Sequence, residues 1–314
     1  MRYLPLLCLA ACSLQRFEYR EEHMGTPVRV VLYAPDRASA DAAAREAFAE
    51  VARLDAMMSD WRADSELSRL KSGDEVSAGL ADVLRVSLDV SEKTDGAFDP
   101  TVGPVVALWR RARHEKRLPD DAALAEALER TGFEKLELDG RRVRLLVPGM
   151  KLDLGGIAKG YAADRALAVL RAAGLEHALV AAGGDLSLGA PPPGRAGWRV
   201  DVAGGSVVEL ARCGAATSGD VEQFVEVGGR RYSHVVDPRT GMGVERMEAV
   251  TVIASDGTRA DAVATAMSVL GPVRGMARAE ELGVEVRFQV RYPDGTRRVA
   301  ATSHFPPSPT GGTR

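Results

Sequence analysis

Residues 151–160 constrain the fold of this chain more than any other segment. They read KLDLGGIAKG, so an apolar stretch, two glycines and a possible helix start follow one another directly. We expect a strand to end at Asp153, the glycines to break it, and Lys159 to stand where a helix begins. A carboxylate, bare backbone N–H groups and an ammonium would then surround one small volume, which suits a phosphate-bearing ligand.

This glycine motif predicts an anion site without naming the ligand. It matches neither the P-loop pattern GxxxxGK[ST] nor the dinucleotide pattern GxGxxG. The formal net charge of the 314-residue chain is −3, so no broad positive field exists to attract nucleic acid. Nucleic acid is therefore not among the expected partners.

The distribution of helical and strand-like segments predicts an α+β fold. The segments alternate without the regular βαβ spacing of a doubly wound sheet, and no linker divides the chain. We expect a single domain of mixed or antiparallel sheets with packed helices over residues 23–304. Residues 12–22 are predicted to be a tether, with an edge strand as the alternative. Residues 305–314 are rich in Pro, Gly, Ser and Thr and are predicted to be disordered.

The first twelve residues resemble a lipoprotein signal. Arg2 precedes an apolar run that ends in LAAC, so residues 1–11 would be removed and Cys12 would carry lipid. This predicts anchoring on the periplasmic side of a bacterial membrane, the inner membrane being preferred over the outer. A misplaced start codon and a plain apolar strand are the alternatives. With Cys8 removed, Cys213 would be the remaining thiol, in a setting typical of core packing.

Two further segments carry residue types suited to catalysis. Asp261 and Thr265 lie four residues apart on an alanine-rich helix, and their oxygens suit a hard cation such as Mg²⁺. The alternative is that Asp261 caps the helix and Thr265 packs in the core. His234, in SHVVDPRTG (residues 233–241), could act as a general acid or base, or could belong to a simple turn.

Two segments leave structural and functional interpretations open. ATSGD (residues 216–220) could present hydroxyls and amides to an anion, or could be a tight turn. Trp61 follows a predicted helix end, where its indole could stack on a flat ligand ring or pack in the core.

Taken together and in order, these segments resemble the ApbE family of flavin transferases, over roughly residues 23 to 300. The motifs that carry the resemblance are HMGTP (23–27), MSDWRADSELSRL (58–70), GAFDPTVGP (96–104), DLGGIAKGY (153–161), ATSGD (216–220), SHVVDPRTG (233–241) and ADAVATA (260–266).

The resemblance implies an FAD:protein FMN transferase. Such an enzyme depends on Mg²⁺, cleaves FAD at its diphosphate and attaches FMN through a phosphoester to a Thr of a partner protein, with release of AMP. Subunits of membrane redox complexes are the acceptors that the resemblance implies. Two alternatives stay open: an FAD pyrophosphatase that yields FMN and AMP, and a non-catalytic FAD-binding lipoprotein.

Carried over motif by motif, the resemblance assigns residues to three roles. It places His234 as the general base and Lys159 as the group that stabilises charge on the diphosphate. Metal would be held by the Gly156 carbonyl, Asp261 and Thr265. The residues expected to contact FAD are Met24, Trp61, Ala97, Phe98, Asp99, Asp153, Lys159 and Val235. Relatives often carry a phenol where this chain has Trp61.

Overall fold

The computed structural model describes residues 13–219, 224–292 and 294–309. The predicted signal peptide and Cys12 lie outside these residues. The helices are α1 (Arg37–Met58), α2 (Glu66–Arg69), α3 (Ala78–Lys93), α4 (Gly103–Glu115), α5 (Asp121–Glu129), α6 (Ala158–Ala172) and α7 (Gly257–Leu282), and a 3₁₀ turn covers Phe133–Lys135. The strands are β1 (Gln15–His23), β2 (Thr26–Ala34), β3 (Leu136–Asp139), β4 (Arg142–Leu145), β5 (Ala178–Ala182), β6 (Asp185–Leu188), β7 (Trp198–Val202), β8 (Ser206–Leu210), β9 (Gly214–Gly219), β10 (Phe224–Val227), β11 (Arg230–Ser233), β12 (Met247–Ala254), β13 (Glu285–Arg291) and β14 (Arg297–Ala301).

An eight-stranded sheet forms the centre of the molecule, in the order β1-β2-β5-β6-β9-β12-β13-β14. Every neighbouring pair in it is antiparallel. Three two-stranded sheets, β3–β4, β7–β8 and β10–β11, accompany it. The expected α+β fold with antiparallel sheets and packed helices is confirmed.

The two faces of the central sheet are covered by different layers, as the alternation along β2 shows. Val30 and Leu32 belong to the larger core, which includes buried residues of α1, α6 and α7. Val31 points to the opposite face and packs with Trp198 and Val200 of the β7–β8 hairpin. A strand with both faces buried is apolar throughout, and β2 therefore sits inside the sheet.

Helices α6 and α7 approach one another closely at their N-terminal ends. A Cβ atom on Gly160 would clash with the carbonyl of Gly257. The Gly160 N–H donates to Asp261 Oδ2 at 3.0 Å, which ties the first turn of α6 to α7. The glycine at position 160 thus allows two helix starts to approach one another and brings their polar residues together.

Helix α7 is longer than predicted and is kinked at Gly271, whose φ of 71° is left-handed, with Pro272 following. Arg246 donates to the carbonyls of Ser268 and Val269, at 2.8 and 2.9 Å, and so satisfies acceptors that the kink leaves open. The alanine-rich helix predicted to carry Asp261 and Thr265 corresponds to the part of α7 before the kink.

Both ends of the described chain are more ordered than the sequence suggested. Residues 15–22, predicted as tether, belong to the edge strand β1, which pairs with β2 along its whole length. The tether prediction was wrong for those residues, and the edge-strand alternative was right. Phe305, predicted to be disordered, packs against the second core and lies 5.8 Å from the Arg287 guanidinium. Residues 310–314 lie outside the described range.

Several elements were not predicted, and two of them matter for the site. The sequence analysis predicted no helix at α4, although Pro104 occupies its first turn, where proline favours helix starts. Strand β9 was read as a loop because it is made of small residues. The glycine at the first position of β9 has a steric cause, since a Cβ on Gly214 would clash with the backbone of Asp256 at the start of α7.

No helix in the described part of the chain is long and apolar enough to cross a bilayer.

Cys213 is partly buried beside the second core, in agreement with its predicted packing role.

The Cys213 thiol is expected to react slowly. Burial raises its pKa to about 11, so the reactive thiolate is scarce at pH 8. With Cys8 and Cys12 replaced by Ser, iodoacetamide at pH 8 should alkylate the native protein at least about 100-fold more slowly than the denatured chain. Native and denatured rates within about threefold of one another would contradict the assigned burial.

Candidate functional site

A cavity of about 400 Å³ opens where the N-terminal ends of α6 and α7 meet the loop before α4 and the ends of β9 and β11. Every residue that the resemblance assigned to the site, apart from Met24 and Trp61, lines it. Those lining residues are Ala97, Phe98, Asp99, Asp153, Gly156, Lys159, His234, Val235, Asp261 and Thr265. The cavity also contains residues that were given no individual role, some of them within the sequence motifs: Val102, Val106, Arg110, Arg113, Gly155, Gly184, Asp185, Thr217, Ser218, Gly219, Val236 and Pro238.

The helix start of the glycine motif lies where the sequence predicted it, but the predicted strand ending at Asp153 was wrong. Lys151 forms only an isolated bridge with Val102, and residues 152–154 are not part of a strand. The Asp153 N–H donates to the Pro100 carbonyl at 2.8 Å, which fixes the segment beside the loop that precedes α4. The Asp153 carboxylate accepts the Gly155 N–H at 2.8 Å. Because α6 begins at Ala158, Lys159 lies in its first turn.

Lys159 is held between two buried carboxylates. Its Nζ forms an ion pair with Asp185 Oδ2 and lies 3.5 Å from Asp261 Oδ2. Asp185 and Asp261 are each only 4% exposed. Burial lowers the pKa of Lys159, but the Asp261 and Asp185 carboxylates outweigh it and leave that pKa well above the usual range. The ammonium therefore stays charged at any physiological pH.

Asp185 is a site residue that the sequence reading did not assign. Burial, followed by the charge of Asp261, raises its pKa to about 7, against the opposing effect of Lys159. Two carboxylates, Asp185 and Asp261, surround one ammonium, Lys159. This end of the cavity can therefore bind a further cation. The available signal was the position of Asp185 directly after two glycines at a strand end.

The predicted metal ligands lie where the two helix starts meet. Thr265 packs against Gly156 so closely that a Cβ on that glycine would lie 2.8 Å from Thr265 Oγ1. Asp261 precedes Thr265 by one helical turn, on the same face of α7. A backbone carbonyl, a carboxylate and a hydroxyl form an all-oxygen donor set, which fits a hard cation that keeps waters and binds substrate phosphate.

This donor set differs from a cage made only of side chains. Among residues 13–219, 224–292 and 294–309, no group of three or more His, Cys, Asp or Glu side chains could hold a metal ion. A cation bound by Gly156, Asp261 and Thr265 would therefore need waters or substrate oxygens to complete its coordination.

Asp164, on α6, fixes the position of α7. Its Oδ1 accepts the Gly257 N–H at 2.9 Å and the Ser187 hydroxyl at 2.5 Å. Its Oδ2 accepts the Thr258 N–H at 2.8 Å and the Thr258 hydroxyl at 2.5 Å. One carboxylate thus caps the N-terminus of α7 and binds β6, so it sets how α7 presents Asp261 to the cavity.

Helix α4 contributes two arginines to the cavity wall. Arg110 forms ion pairs with Asp60 and, at 3.0 Å, with Asp153. Arg113 lies one turn further along, and burial lowers the pKa of its guanidinium. In the described part of the chain no carboxylate lies within ion-pair distance of Arg113. The sequence reading missed both arginines because it missed the helix that carries them.

Asp99 shapes the loop before α4. Its Oδ1 accepts the backbone N–H and the hydroxyl of Thr101, at 2.7 and 2.6 Å, and its Oδ2 accepts the Phe133 N–H at 2.8 Å. Both oxygens are therefore engaged within the protein. The neighbouring Ala97 and Phe98 are buried and supply apolar surface to the cavity.

The two predicted residues that do not line the cavity lie elsewhere for different reasons. Met24 is in the β1–β2 turn, packs against the larger core and donates its N–H to Asp55 Oδ2 at 3.3 Å. Trp61 is 67% exposed, so the core-packing alternative was wrong. It directly follows Asp60, the ion-pair partner of the cavity residue Arg110.

His234 follows β11 directly and lines the cavity beside Val235. The Val235 N–H donates to Ser233 Oγ at 3.1 Å, which helps to fix the backbone at this position. Thr217 and Ser218 of β9 line the cavity as well, so the small-residue motif 216–220 presents hydroxyls from a strand. Asp220, the last residue of that motif, lies outside the described residues.

A comparison with protein-family models matches residues 24–288 to the ApbE family. The chain belongs to the ApbE family. An FAD:protein FMN transferase from Klebsiella pneumoniae is 33% identical to this ApbE-family chain, covering 87% of it and 83% of the relative. An FAD:protein FMN transferase from Vibrio cholerae is 32% identical, with 96% of each chain covered.

The fold agrees with that of solved members of the ApbE family. The apo crystal structure of the flavinyl transferase ApbE from Pseudomonas stutzeri superposes with a TM-score of 0.84 at 32% sequence identity. The alignment covers 93% of this chain and 96% of that structure. The family membership predicted from the sequence motifs is thereby confirmed.

Proposed function

We propose that this chain is an FAD:protein FMN transferase that depends on Mg²⁺, transfers FMN to a Thr hydroxyl and releases AMP. The observation that carries the proposal is the cluster of Lys159, Asp185 and Asp261 at the meeting point of two helix starts. That cluster shares one cavity with His234. Relatives named for this activity cover most of the chain.

The cavity has the two kinds of surface that a flavin dinucleotide requires. Phe98, Val102, Val106 and Val236 supply apolar wall for a flat ring system. Lys159, with the α6 N-terminus, supplies positive charge for the diphosphate. Arg113 adds a guanidinium to the same wall. We assign the ring contacts to the apolar wall and the phosphate contacts to Lys159.

The Gly156 carbonyl, Asp261 and Thr265 would hold Mg²⁺, whose charge stabilises phosphate oxygens when it is bound. In the transfer step, His234 removes the proton of the acceptor hydroxyl, because a neutral hydroxyl is a poor nucleophile. The hydroxyl oxygen bonds to the phosphorus of the FMN half of FAD, and the bond from that phosphorus to the oxygen bridging to AMP breaks. Lys159 stabilises the charge that develops on the diphosphate.

We also propose that Cys12 is lipidated and holds the enzyme on the periplasmic side of a membrane, where subunits of redox complexes would be acceptors. Cys12 lies outside the described residues, but β1 begins at Gln15. Three extended residues span about 10 Å. The lipid would therefore hold the edge of the sheet close to the bilayer surface.

The test is incubation with FAD and Mg²⁺, with and without candidate acceptor domains from membrane redox complexes. We expect FMN on a Thr by mass spectrometry, with an equal amount of AMP. Lys159→Met should lower the rate at least about 100-fold, as expected for a group that stabilises developing charge. Lys93→Met, which removes an exposed ion pair with Asp89, is the matched control and should keep the rate.

Two outcomes would contradict the transferase. Rapid FMN release without any acceptor would indicate an FAD pyrophosphatase. Retained FAD with no AMP at any Mg²⁺ concentration would indicate a non-catalytic binding protein.

A further inference from the structure

A second cavity, of about 440 Å³, adjoins the first and is assigned no role by the proposed mechanism. We refer to it as the β7 groove. Its lining residues are Arg29, Leu179, Gly183, Gly184, Leu186, Arg199, Val200, Asp201, Val202, Ala203, Gly204, Gly205, Thr217 and Gln289. Gly184 and Thr217 line both cavities, so the β7 groove and the candidate active site meet at these two residues.

The β7 groove runs along a strand edge. Consecutive residues of β7 and the turn after it, 199–205, all line it. Successive side chains of a strand point to opposite faces, so an unbroken run can line one groove only through the backbone edge. In the described part of the chain β7 pairs with β8 alone. Within β7 itself the other edge therefore offers N–H and C=O groups to an added strand. In the turn after β7, the Ala203 N–H donates to Thr251 Oγ1 and the Ala203 carbonyl accepts from Arg287, so the free edge ends there.

The groove reaches the active-site cavity at its charged end. Gly184 directly precedes Asp185, the ion-pair partner of Lys159. The Thr217 N–H donates to the Gly184 carbonyl at 3.1 Å, which places the two shared residues side by side. A chain segment lying in the groove would thus deliver a side chain next to Lys159, where the diphosphate is proposed to bind.

The charge of the groove favours a carboxylate-bearing segment. Arg29 and Arg199 contribute two guanidiniums, and Asp201 contributes one carboxylate. The nearest ion-pair partner of Arg29 is Glu18, at 3.9 Å. Arg199 has no ion pair among the residues that the structure describes. Two weakly paired arginines can therefore attract an acidic side chain of a partner.

We infer that the β7 groove binds the acceptor protein. An extended acceptor segment adds to the free edge of β7, places an acidic side chain near Arg199 and delivers its Thr hydroxyl at the junction of Gly184 and Thr217. This inference rests on the proposed transferase function and names the surface by which that function recognises its protein substrate. The five residues of β7 span about 16 Å, enough for a short strand of the partner.

The test compares two exposed positions that face each other across the hairpin, Arg199 on β7 and Glu209 on β8. The probe is a peptide spanning the FMN-modified Thr of the acceptor found by mass spectrometry. Arg199→Glu should raise the KM for this peptide at least about tenfold, which corresponds to about 1.4 kcal/mol. The kcat at saturating peptide and the affinity for FAD, measured by flavin fluorescence, should stay the same. Glu209→Arg should change the KM less than about twofold.

Crosslinking separates a failure of this inference from a failure of the proposed function. A p-benzoylphenylalanine in place of Asp201 should crosslink to the peptide, and one in place of Glu137, an exposed residue of β3 that lines neither cavity, should not. An unchanged KM in Arg199→Glu, no crosslink at position 201, or a crosslink there to a second copy of this chain would each overturn the groove assignment. Absence of FMN transfer by the unmodified protein would instead overturn the function, and the same crosslink, carried out with the intact candidate acceptor domains, would still decide the groove.

Discussion

Replacing Asp261 by Asn is expected to reduce Mg²⁺-supported FMN transfer at least about 1000-fold, equivalent to about 4 kcal/mol of transition-state stabilisation. The substitution removes the negative charge of Asp261, a residue that is only 4% exposed. It keeps an oxygen that can accept the Gly160 N–H, which Asp261 accepts at 3.0 Å. The protein should therefore stay folded while the proposed metal site and the Lys159 pair both weaken.

The measurement is the rate of FMN attachment at several Mg²⁺ concentrations, with circular dichroism melting as the check on folding. Asp89→Asn is the matched control. Asp89, on α3, forms an ion pair at 2.9 Å with Arg259, which lies on α7 like Asp261, but Asp89 does not line the cavity. It should keep the transfer rate within about twofold. Transfer by Asp261→Asn within about tenfold of the unmodified rate would refute the metal assignment.

Local patterns in the sequence were sufficient for much of the candidate site. Asp153, the two glycines and Lys159 follow one another closely along the chain, so the helix start after the glycines follows from local turn chemistry. Asp261 and Thr265 face one way because a helix places residues four apart on one side. These residues line one cavity in the structure.

The unpredicted part of the site depends on contacts between distant segments. Asp185 reaches Lys159 only because β6, a strand of the central sheet, lies beside helix α6 in the folded chain. Arg110 meets Asp153 only because α4 packs against the loop that carries the glycine motif. No spacing along the chain encodes these partners, so a reading based on periodicity could not pair them. The exposure of Trp61 is likewise a tertiary property.

The small residues of the chain illustrate the same point. Gly214 and Gly160 lie in different elements, but a Cβ at either would clash with backbone at the start of α7. Sequence rules associate glycine with turns, and β9 was therefore read as a loop. In the structure these glycines allow close packing around one helix start. Glycine is required at positions 160 and 214 because the start of α7 packs against both. Neither local sequence contains that information.

Asp164→Ala is expected to lower the free energy of unfolding by about 3 kcal/mol, because it leaves several donors without their acceptor. Gly257, Thr258 and Ser187 together direct four hydrogen bonds to this carboxylate. An unsatisfied buried donor costs about 1–3 kcal/mol. Asp164 is only partly buried, so water should compensate for some of these donors and hold the loss to the stated size.

Urea unfolding followed by circular dichroism measures this loss, and Ser187→Ala provides the graded control. The Ser187 hydroxyl contributes one of the four bonds, so its removal should cost about 1 kcal/mol. A loss below about 1 kcal/mol for Asp164→Ala would show that α7 is held by packing alone. If the carboxylate positions α7 as the hydrogen bonds indicate, the folded variant should also need more Mg²⁺ for half-maximal transfer. That shift would distinguish a residue that sets the geometry of Asp261 and Thr265 from one that only stabilises the fold.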